Sequence, residues 1–137
     1  MHWEKDGYHL TDKQDQLDVV RTQALLGETY WGVRRPLEVV EHMVKTSLCF
    51  TLLSNKLQIG FGRAVTDTVT MSWIADIVIL PEFRGKGLGK WMMECIVNHP
   101  DIRDTQKVLQ TRDAHEYYEK YGFSRNAALM STEVDGL

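Results

Sequence analysis

Apolar positions change their spacing along the chain, and this change predicts two helices followed by several strands. In the first third they recur every three or four residues, as on one face of a helix. The first helix has Leu17, Val20, Ala24 and Leu25, and the second has Val39, Val40, Met43 and Val44. Thr11 and Gln14 have capping-box spacing, so we expect the first helix to begin there and to end near Gly27. Pro36 suits the first turn of the second helix.

The middle of the chain has the pattern of strands joined by polar turns. Residues 8–10 predict a short first strand, and residues 48–53, 57–65 and 70–80 predict three longer ones. Residues 54–56 and 66–68 are polar and turn-prone. Gly60 and Gly62 lie inside the second of these long strands and indicate a bulge or a close backbone approach.

Helical spacing returns after Pro81. It is carried by Leu88, Trp91, Met92, Cys95 and Ile96. It predicts a helix from a glycine-rich turn at 84–89 to about His99. A short strand at 107–111, a helix at 114–121 and a last strand at 127–132 complete the order. We therefore expect one domain over residues 1–137, of the α/β (α+β) class, with a mixed, largely antiparallel central sheet flanked by helices.

Composition narrows the class of partner. The 137 residues carry a formal net charge of −3, so a general electrostatic grip on nucleic acid or on an anionic membrane is not expected. Aliphatic runs are too short for a membrane span, and the amino-terminal segment lacks the apolar stretch of a signal peptide, so we predict a cytoplasmic protein. Four of the five histidines, His2, His9, His42 and His99, form no ligand-spaced pair along the sequence, and we predict no metal.

The glycine-rich turn is the strongest chemical signal. A buried strand ends at Pro81, and the turn that follows opens a helix whose first N–H groups lack partners. Glycines at 85, 87 and 89 allow close backbone approach, and Arg84, Lys86 and Lys90 add positive charge. This combination predicts a site for a diphosphate. Neither the P-loop pattern nor the dinucleotide fingerprint fits, since residue 90 is Lys and residue 91 is Trp.

Two segments together resemble the GNAT-type N-acetyltransferase superfamily. The first is R-x-x-G-x-G at residues 84–89. The second is A-x-x-x-Y-E-K-x-G-F at residues 114–123. The resemblance spans roughly residues 8–132 and implies a GNAT-like acyl-CoA N-acyltransferase fold with acetyl-CoA as cosubstrate. The implied cofactor-binding residues are Ile77, Val78, Ile79, Arg84, Gly85, Lys86, Gly87, Leu88, Gly89 and Lys90.

The resemblance also implies a mechanism. A neutral amine attacks the thioester carbonyl directly, and a strand N–H near residues 77–79 stabilises the oxyanion. Tyr118 occupies the superfamily's general-acid position and would protonate the departing thiolate. The superfamily often has Asn seven positions before this tyrosine, where this chain has Thr111. Asp113 or His115 would then replace that contact, or the contact is absent.

Three further interpretations stay open at this stage. Asp76 interrupts an apolar strand and is either a proton acceptor for the amine or a structural hydrogen-bonding residue. Tyr30 and Trp31 either line the acceptor site or pack a loop on the sheet. The adjacent Arg34 and Arg35 either meet an acidic acceptor or, as is usual for such surface charges, are solvated.

The acceptor is expected to be a small-molecule or peptide amine, and exposed edge strands are compatible with a homodimer. Two alternatives to an enzyme are kept. One is a non-catalytic acyl-CoA-binding sensor of the same fold, which would not need Tyr118. The other is an unrelated nucleotide-phosphate binder.

Overall fold

A six-stranded sheet whose strands follow one another in sequence order forms the centre of the molecule. The computed structural model describes residues 1–132. The strands are β1 (His2–Lys5), β2 (Tyr8–Thr11), β3 (Leu48–Ser54), β4 (Leu57–Thr66), β5 (Met71–Ile79) and β6 (Gln106–Val108). Neighbouring strands are antiparallel except β5 and β6, which are parallel. The predicted mixed, largely antiparallel sheet is confirmed.

Helices cover both faces of the sheet. They are α1 (Val19–Leu26), α2 (Leu37–Thr46), α3 (Leu88–Val97) and α4 (His115–Glu119). The consecutive residues Val78 and Ile79 belong to two different apolar clusters, as the alternation of a strand requires. Val78 packs with residues of α1 and α2, whereas Ile79 packs with residues of α3. The sheet is therefore a central layer between two cores.

The glycines at 60 and 62 let neighbouring parts of the molecule approach β4 closely, as the sequence predicts. A Cβ at Gly60 would lie 3.0 Å from the carbonyl oxygen of Val78, and one at Gly62 would lie 2.7 Å from Cδ1 of Ile77. The register of β4 shifts against both β3 and β5 within this segment. A side chain at Gly60 would press against the backbone of β5, whereas one at Gly62 would require the side chain of Ile77 to move.

The predicted start of the first helix is wrong. Thr11 is buried in β2, where it pairs with His2 on one side and Thr51 on the other. The helix begins at Val19, and the carboxylate of Asp18 accepts a hydrogen bond of 2.9 Å from the N–H of Arg21. Pairing within the sheet overrides the local capping-box pattern, because the backbone of Thr11 is already paired with two neighbouring strands.

Both ends of the sheet also depart from prediction. The sequence does not predict strand β1, because Trp3 is the one apolar residue in it. In the structure Trp3 is also its one partly buried side chain. The last strand predicted at 127–132 is absent, and Asn126 turns the chain there by accepting the N–H of Ala128 on its side chain. The carboxyl-terminal end of the predicted domain, residues 133–137, lies outside the described residues. No helix within residues 1–132 combines the length and apolarity needed to cross a bilayer.

We predict that Asp18→Ala lowers the free energy of unfolding by about 1 kcal/mol, because the first turn of α1 loses its capping carboxylate. Asp15→Ala is the matched control, since Asp15 is exposed in the same segment and does not cap the helix. Urea denaturation measures both values. Equal losses in the two variants would contradict the assigned cap.

Candidate functional site

Strand β5 separates from β6 after a short stretch of pairing. Only Met71–Trp73 pair with Gln106–Val108. Beyond Trp73, β5 runs on to Ile79 with β4 as its only strand neighbour within the described residues. Backbone groups at 77–79 that point away from β4 therefore face an opening rather than another strand. One of these groups, the carbonyl of Ile79, accepts a hydrogen bond of 3.1 Å from Nε of Arg84.

The glycine-rich turn lies at the carboxyl end of this strand. Gly85 and Gly87 have φ values of +79° and +77°, in the left-handed region that favours glycine. A Cβ built at either position meets no heavy atom within 4 Å, so their outer surface is open. Residues 84–87 are all exposed, and the buried Leu88 anchors the turn to the core. The turn presents backbone to solvent on a fixed support.

The amino terminus of α3 is available to an anion. Gly87 precedes the helix and has no side chain to cap it. The first N–H groups of a helix lack internal acceptors and carry partial positive charge. Lys86 and Lys90 are exposed on either side. Together with Arg84, they make this corner of a net-acidic protein locally cationic.

Helix α4 places a group of tyrosines beside the same turn. The hydroxyl oxygen of Tyr117 lies 3.4 Å from a Cβ built at Gly89 and accepts a hydrogen bond of 3.4 Å from the hydroxyl of Tyr121. Tyr118 packs edge-to-face against Tyr117 and Phe123. Burial, followed by the proximity of Tyr117 and Tyr30, raises the pKa of Tyr118. The phenol therefore keeps its proton throughout the neutral range.

The loop between α1 and α2 reaches towards the loop after β6. Tyr30 and Trp31 form an edge-to-face pair with centroids 5.0 Å apart, and they are 56% and 37% exposed. The guanidinium carbon of Arg112 lies 3.9 Å from the centroid of the Tyr30 ring. This cation–π contact joins two loops on different elements. Rings that only packed the loop on the sheet would be more buried than these two are.

Asp76 occupies a strained position in β5. Its φ of +59° is left-handed, and it lies where the register between β4 and β5 shifts. Its Oδ2 accepts from Nε of Arg63 at 2.5 Å and from Nη1 of Arg35 at 2.7 Å, and its side chain is 1% exposed. The expectation that Arg35 is solvated is wrong. Two arginines held by one buried carboxylate tie β4, β5 and the α1–α2 loop together.

Arg63 and Arg112 were not singled out by the sequence. Arg63 follows Gly62 in a strand of mostly buried residues, and a charge in such a strand is a signal that could have marked it. Arg112 lies in an irregular connection with no periodic signal. Thr111, at the position where Asn is common, accepts the N–H of Ala114 at 3.1 Å and so helps to start α4.

A cavity of about 590 Å³ lies between β6 and the segment that follows α4. Tyr118, His115 and Thr111 are among its lining residues, together with Val108 and Phe123. Within residues 1–132, β6 pairs with β5 alone, and part of segment 124–132 lines the cavity without forming a strand.

The histidines do not stay apart as their sequence spacing suggests. Facing strands bring His2, Glu4 and His9 together, with their ligand atoms within 4.8 Å of one another. Spacing along the sequence, on which the prediction of no metal rests, does not reveal this group. This cluster lies on β1 and β2, at the edge of the sheet opposite β6.

Comparison with known proteins points in one direction. A family model described as an acetyltransferase (GNAT) domain matches residues 45–125. The uncharacterized N-acetyltransferase ycf52 of Gracilaria tenuistipitata var. liui is 36% identical over 98 residues, which cover 66% of this chain and 54% of that protein. A GNAT-family crystal structure from Xanthomonas campestris pv. campestris superposes with a TM-score of 0.91 at 32% identity, over 98% of both chains. A GNAT acetyltransferase from Elizabethkingia anophelis with acetyl-CoA bound shares the fold, with a TM-score of 0.67 at 16% identity over 88% of this chain and 78% of that chain.

We predict that Asp76→Asn lowers the free energy of unfolding by about 3 kcal/mol, because it leaves two largely buried guanidinium groups without their carboxylate. Asp104→Asn is the control. Its ion pair with Arg103 spans 3.9 Å and is largely exposed, so we expect a loss of less than about 0.5 kcal/mol. Denaturant titrations of both variants check the difference. Similar stabilities would show that the buried pair does not support the fold.

Proposed function

The chain belongs to the GNAT acetyltransferase family, and on that premise we propose that it transfers an acetyl group from acetyl-CoA to a primary amine. The observation that carries the proposal is the opening between β5 and β6, which leads directly to the uncapped amino terminus of α3. Acetyl-CoA supplies the acetyl group already activated as a thioester.

The residues present fit this cosubstrate. Its diphosphate carries charge that suits exposed N–H groups and the cations Arg84, Lys86 and Lys90. The αL glycines at 85 and 87 leave room for that group to reach the backbone. Its extended arm carries amides, which can pair with the free edge of β5 at residues 77–79. We assign Leu88 and Gly89 to the same contact through their backbone.

Tyr118 is the proposed general acid. Its pKa is raised mainly by burial, so the phenol is protonated when the thiolate leaves and can donate. The hydroxyl of its neighbour Tyr117 lies 3.4 Å from a Cβ built at Gly89, and this proximity of α4 to the glycine turn supports the proposal. Tyr121 differs from Tyr118 because its hydroxyl already donates to Tyr117.

We propose a positioning role for Asp76 rather than the role of base. One of its oxygens already accepts from two arginines at short distance, and its side chain is only 1% exposed, so the carboxylate is engaged in holding these two side chains. It holds the α1–α2 loop through Arg35. That loop carries Tyr30 and Trp31, which we assign to the acceptor site, where exposed rings can cover an alkylamine. The proton of the amine then leaves through water.

We predict that Gly87→Ala weakens the binding of coenzyme A by about tenfold, because the added methyl group occupies the surface that the diphosphate approaches. Gly7→Ala is matched to it, since Gly7 has a φ of +83° and equally open surroundings in the β1–β2 turn. Both variants carry the same backbone strain, so calorimetry separates strain from contact. Unchanged affinity in a folded Gly87→Ala protein would contradict the site, and tighter binding of ATP than of coenzyme A would contradict the family role.

We predict that Tyr118→Phe lowers kcat by about 100-fold with acetyl-CoA and a panel of amines, while the affinity for coenzyme A stays the same. Tyr121→Phe, in the turn directly after the same helix, should retain activity. Because the pKa of Tyr118 is raised, the acid stays protonated as pH increases, and kcat should show no loss from its ionisation below about pH 10. Release of coenzyme A from acetyl-CoA is the assay.

Equal rates for wild type and Tyr118→Phe would remove the tyrosine from the mechanism. Binding of acetyl-CoA without turnover of any amine in the panel would favour the alternative, an acyl-CoA sensor of the same fold.

A further inference from the structure

The β1–β2 hairpin carries a side-chain cluster that acetyl transfer does not use. We propose that His2, Glu4 and His9 form a binding site for one divalent transition-metal ion, with zinc as the best fit. The ligand atoms are Nε2 of His2, Oε1 of Glu4 and Nδ1 of His9. The site is independent of the proposed acetyl transfer.

Strand register puts the three side chains on one face. His2 and Glu4 are two residues apart on β1, so their side chains point the same way. Glu4 lies directly opposite His9 in the antiparallel pair. Side chains of directly opposed residues are neighbours, and the diagonal from His2 to His9 is within reach of long side chains. Two short strands are therefore enough to bring all three ligands together.

The distances match the edges of a coordination polyhedron. The three atoms are separated by 3.0 Å (His2 to His9), 3.3 Å (His2 to Glu4) and 3.4 Å (His9 to Glu4). Zinc bonds to nitrogen and oxygen of about 2.0–2.2 Å in a tetrahedron place neighbouring ligand atoms roughly 3.3–3.5 Å apart. One ion can thus bind all three atoms with small side-chain rotations and no movement of the strands.

The cluster gathers more lone pairs than N–H groups. Nε2 of His2 faces both the carboxylate of Glu4 and a ring nitrogen of His9, yet a neutral imidazole has only one N–H to share. A metal ion would accept all three lone pairs at once. Two imidazoles and one carboxylate suit zinc and its first-row neighbours better than calcium or magnesium, which prefer oxygen ligands.

The frame that holds these ligands is anchored by the core. Trp3 lies between His2 and Glu4 and points to the opposite face, where its ring contacts Phe50 and His99. Leu10, next to His9, is fully buried. The ligand side chains themselves are 39–66% exposed, which leaves room for water as a fourth ligand. An ion there would join β1, the edge strand, to β2.

Titration of the full chain, without a histidine tag, with zinc chloride in a calorimeter tests the proposal. We expect one zinc per chain, and at least tenfold weaker binding in both His9→Ala and Glu4→Gln. Glu4→Gln keeps the size of the side chain, so it remains informative if His9→Ala disturbs the hairpin. His42→Ala is the control, since His42 is an exposed histidine on α2.

A second readout is the visible absorption of cobalt(II) bound in place of zinc, whose intensity reports tetrahedral coordination. We expect this band in the wild type and in His42→Ala, and its loss in Glu4→Gln. The proposal is overturned if no binding of zinc to the wild type is detected at concentrations up to about 1 mM. It is also overturned if Glu4→Gln and His9→Ala bind as the wild type does, or if His42→Ala loses the ion. Coenzyme A binding should be unchanged in every variant, so failure here leaves the proposed acetyl transfer standing.

Discussion

The ion pairs of Asp76 with Arg35 and Arg63 are the constraint on which the site geometry depends. Asp76 has a left-handed backbone at the point where β5 loses its register with β4. Bulges of this kind bend a strand and increase its twist. Strand β5 stops pairing with β6 after Trp73, three residues before the bulge. A buried carboxylate paired with two arginines holds the distorted backbone in place.

The bend has its effect because both faces of β5 are covered. Val78 is held in the core under α1 and α2, and Ile79 in the core under α3. The strand can therefore move away from β6 only within the plane of the sheet. Its free edge then continues into the glycine-rich turn, where Leu88 is buried and the residues before it are exposed. The unpaired edge and the helix terminus form one continuous polar surface.

The two loops over this opening are linked by side chains from distant parts of the sequence. Arg35 ties the α1–α2 loop to β5, and Arg112 stacks over Tyr30 from the loop after β6. These contacts couple the α1–α2 loop to β5 and to the loop that precedes α4. Tyr30, Trp31 and Arg112 lie in loops, whereas the glycine-rich turn rests on a strand and a helix.

Much of the architecture could be predicted from the sequence because its signals are local. Helical spacing located α2 and α3, and the polar turn between β3 and β4 was found at Asn55 and Lys56, which both have positive φ. The glycine turn was found because glycine, a strand and a helix start are adjacent along the chain. Elements with weak or competing local signals were misplaced, and Thr11 shows why. Its capping-box spacing was outweighed by pairing with residues 51 and 2.

The sequence alone determined that a strand, a glycine turn and a helix meet at residues 77–90, since that arrangement needs only neighbours along the chain. Only the tertiary structure decided that Asp76 pairs with Arg35 and Arg63, that Arg112 covers Tyr30, and that His2, Glu4 and His9 meet. Those contacts join residues from different elements, and their distances follow from sheet register and the packing of loops. Neither register nor loop packing is encoded in local spacing, because both depend on the whole sheet having formed.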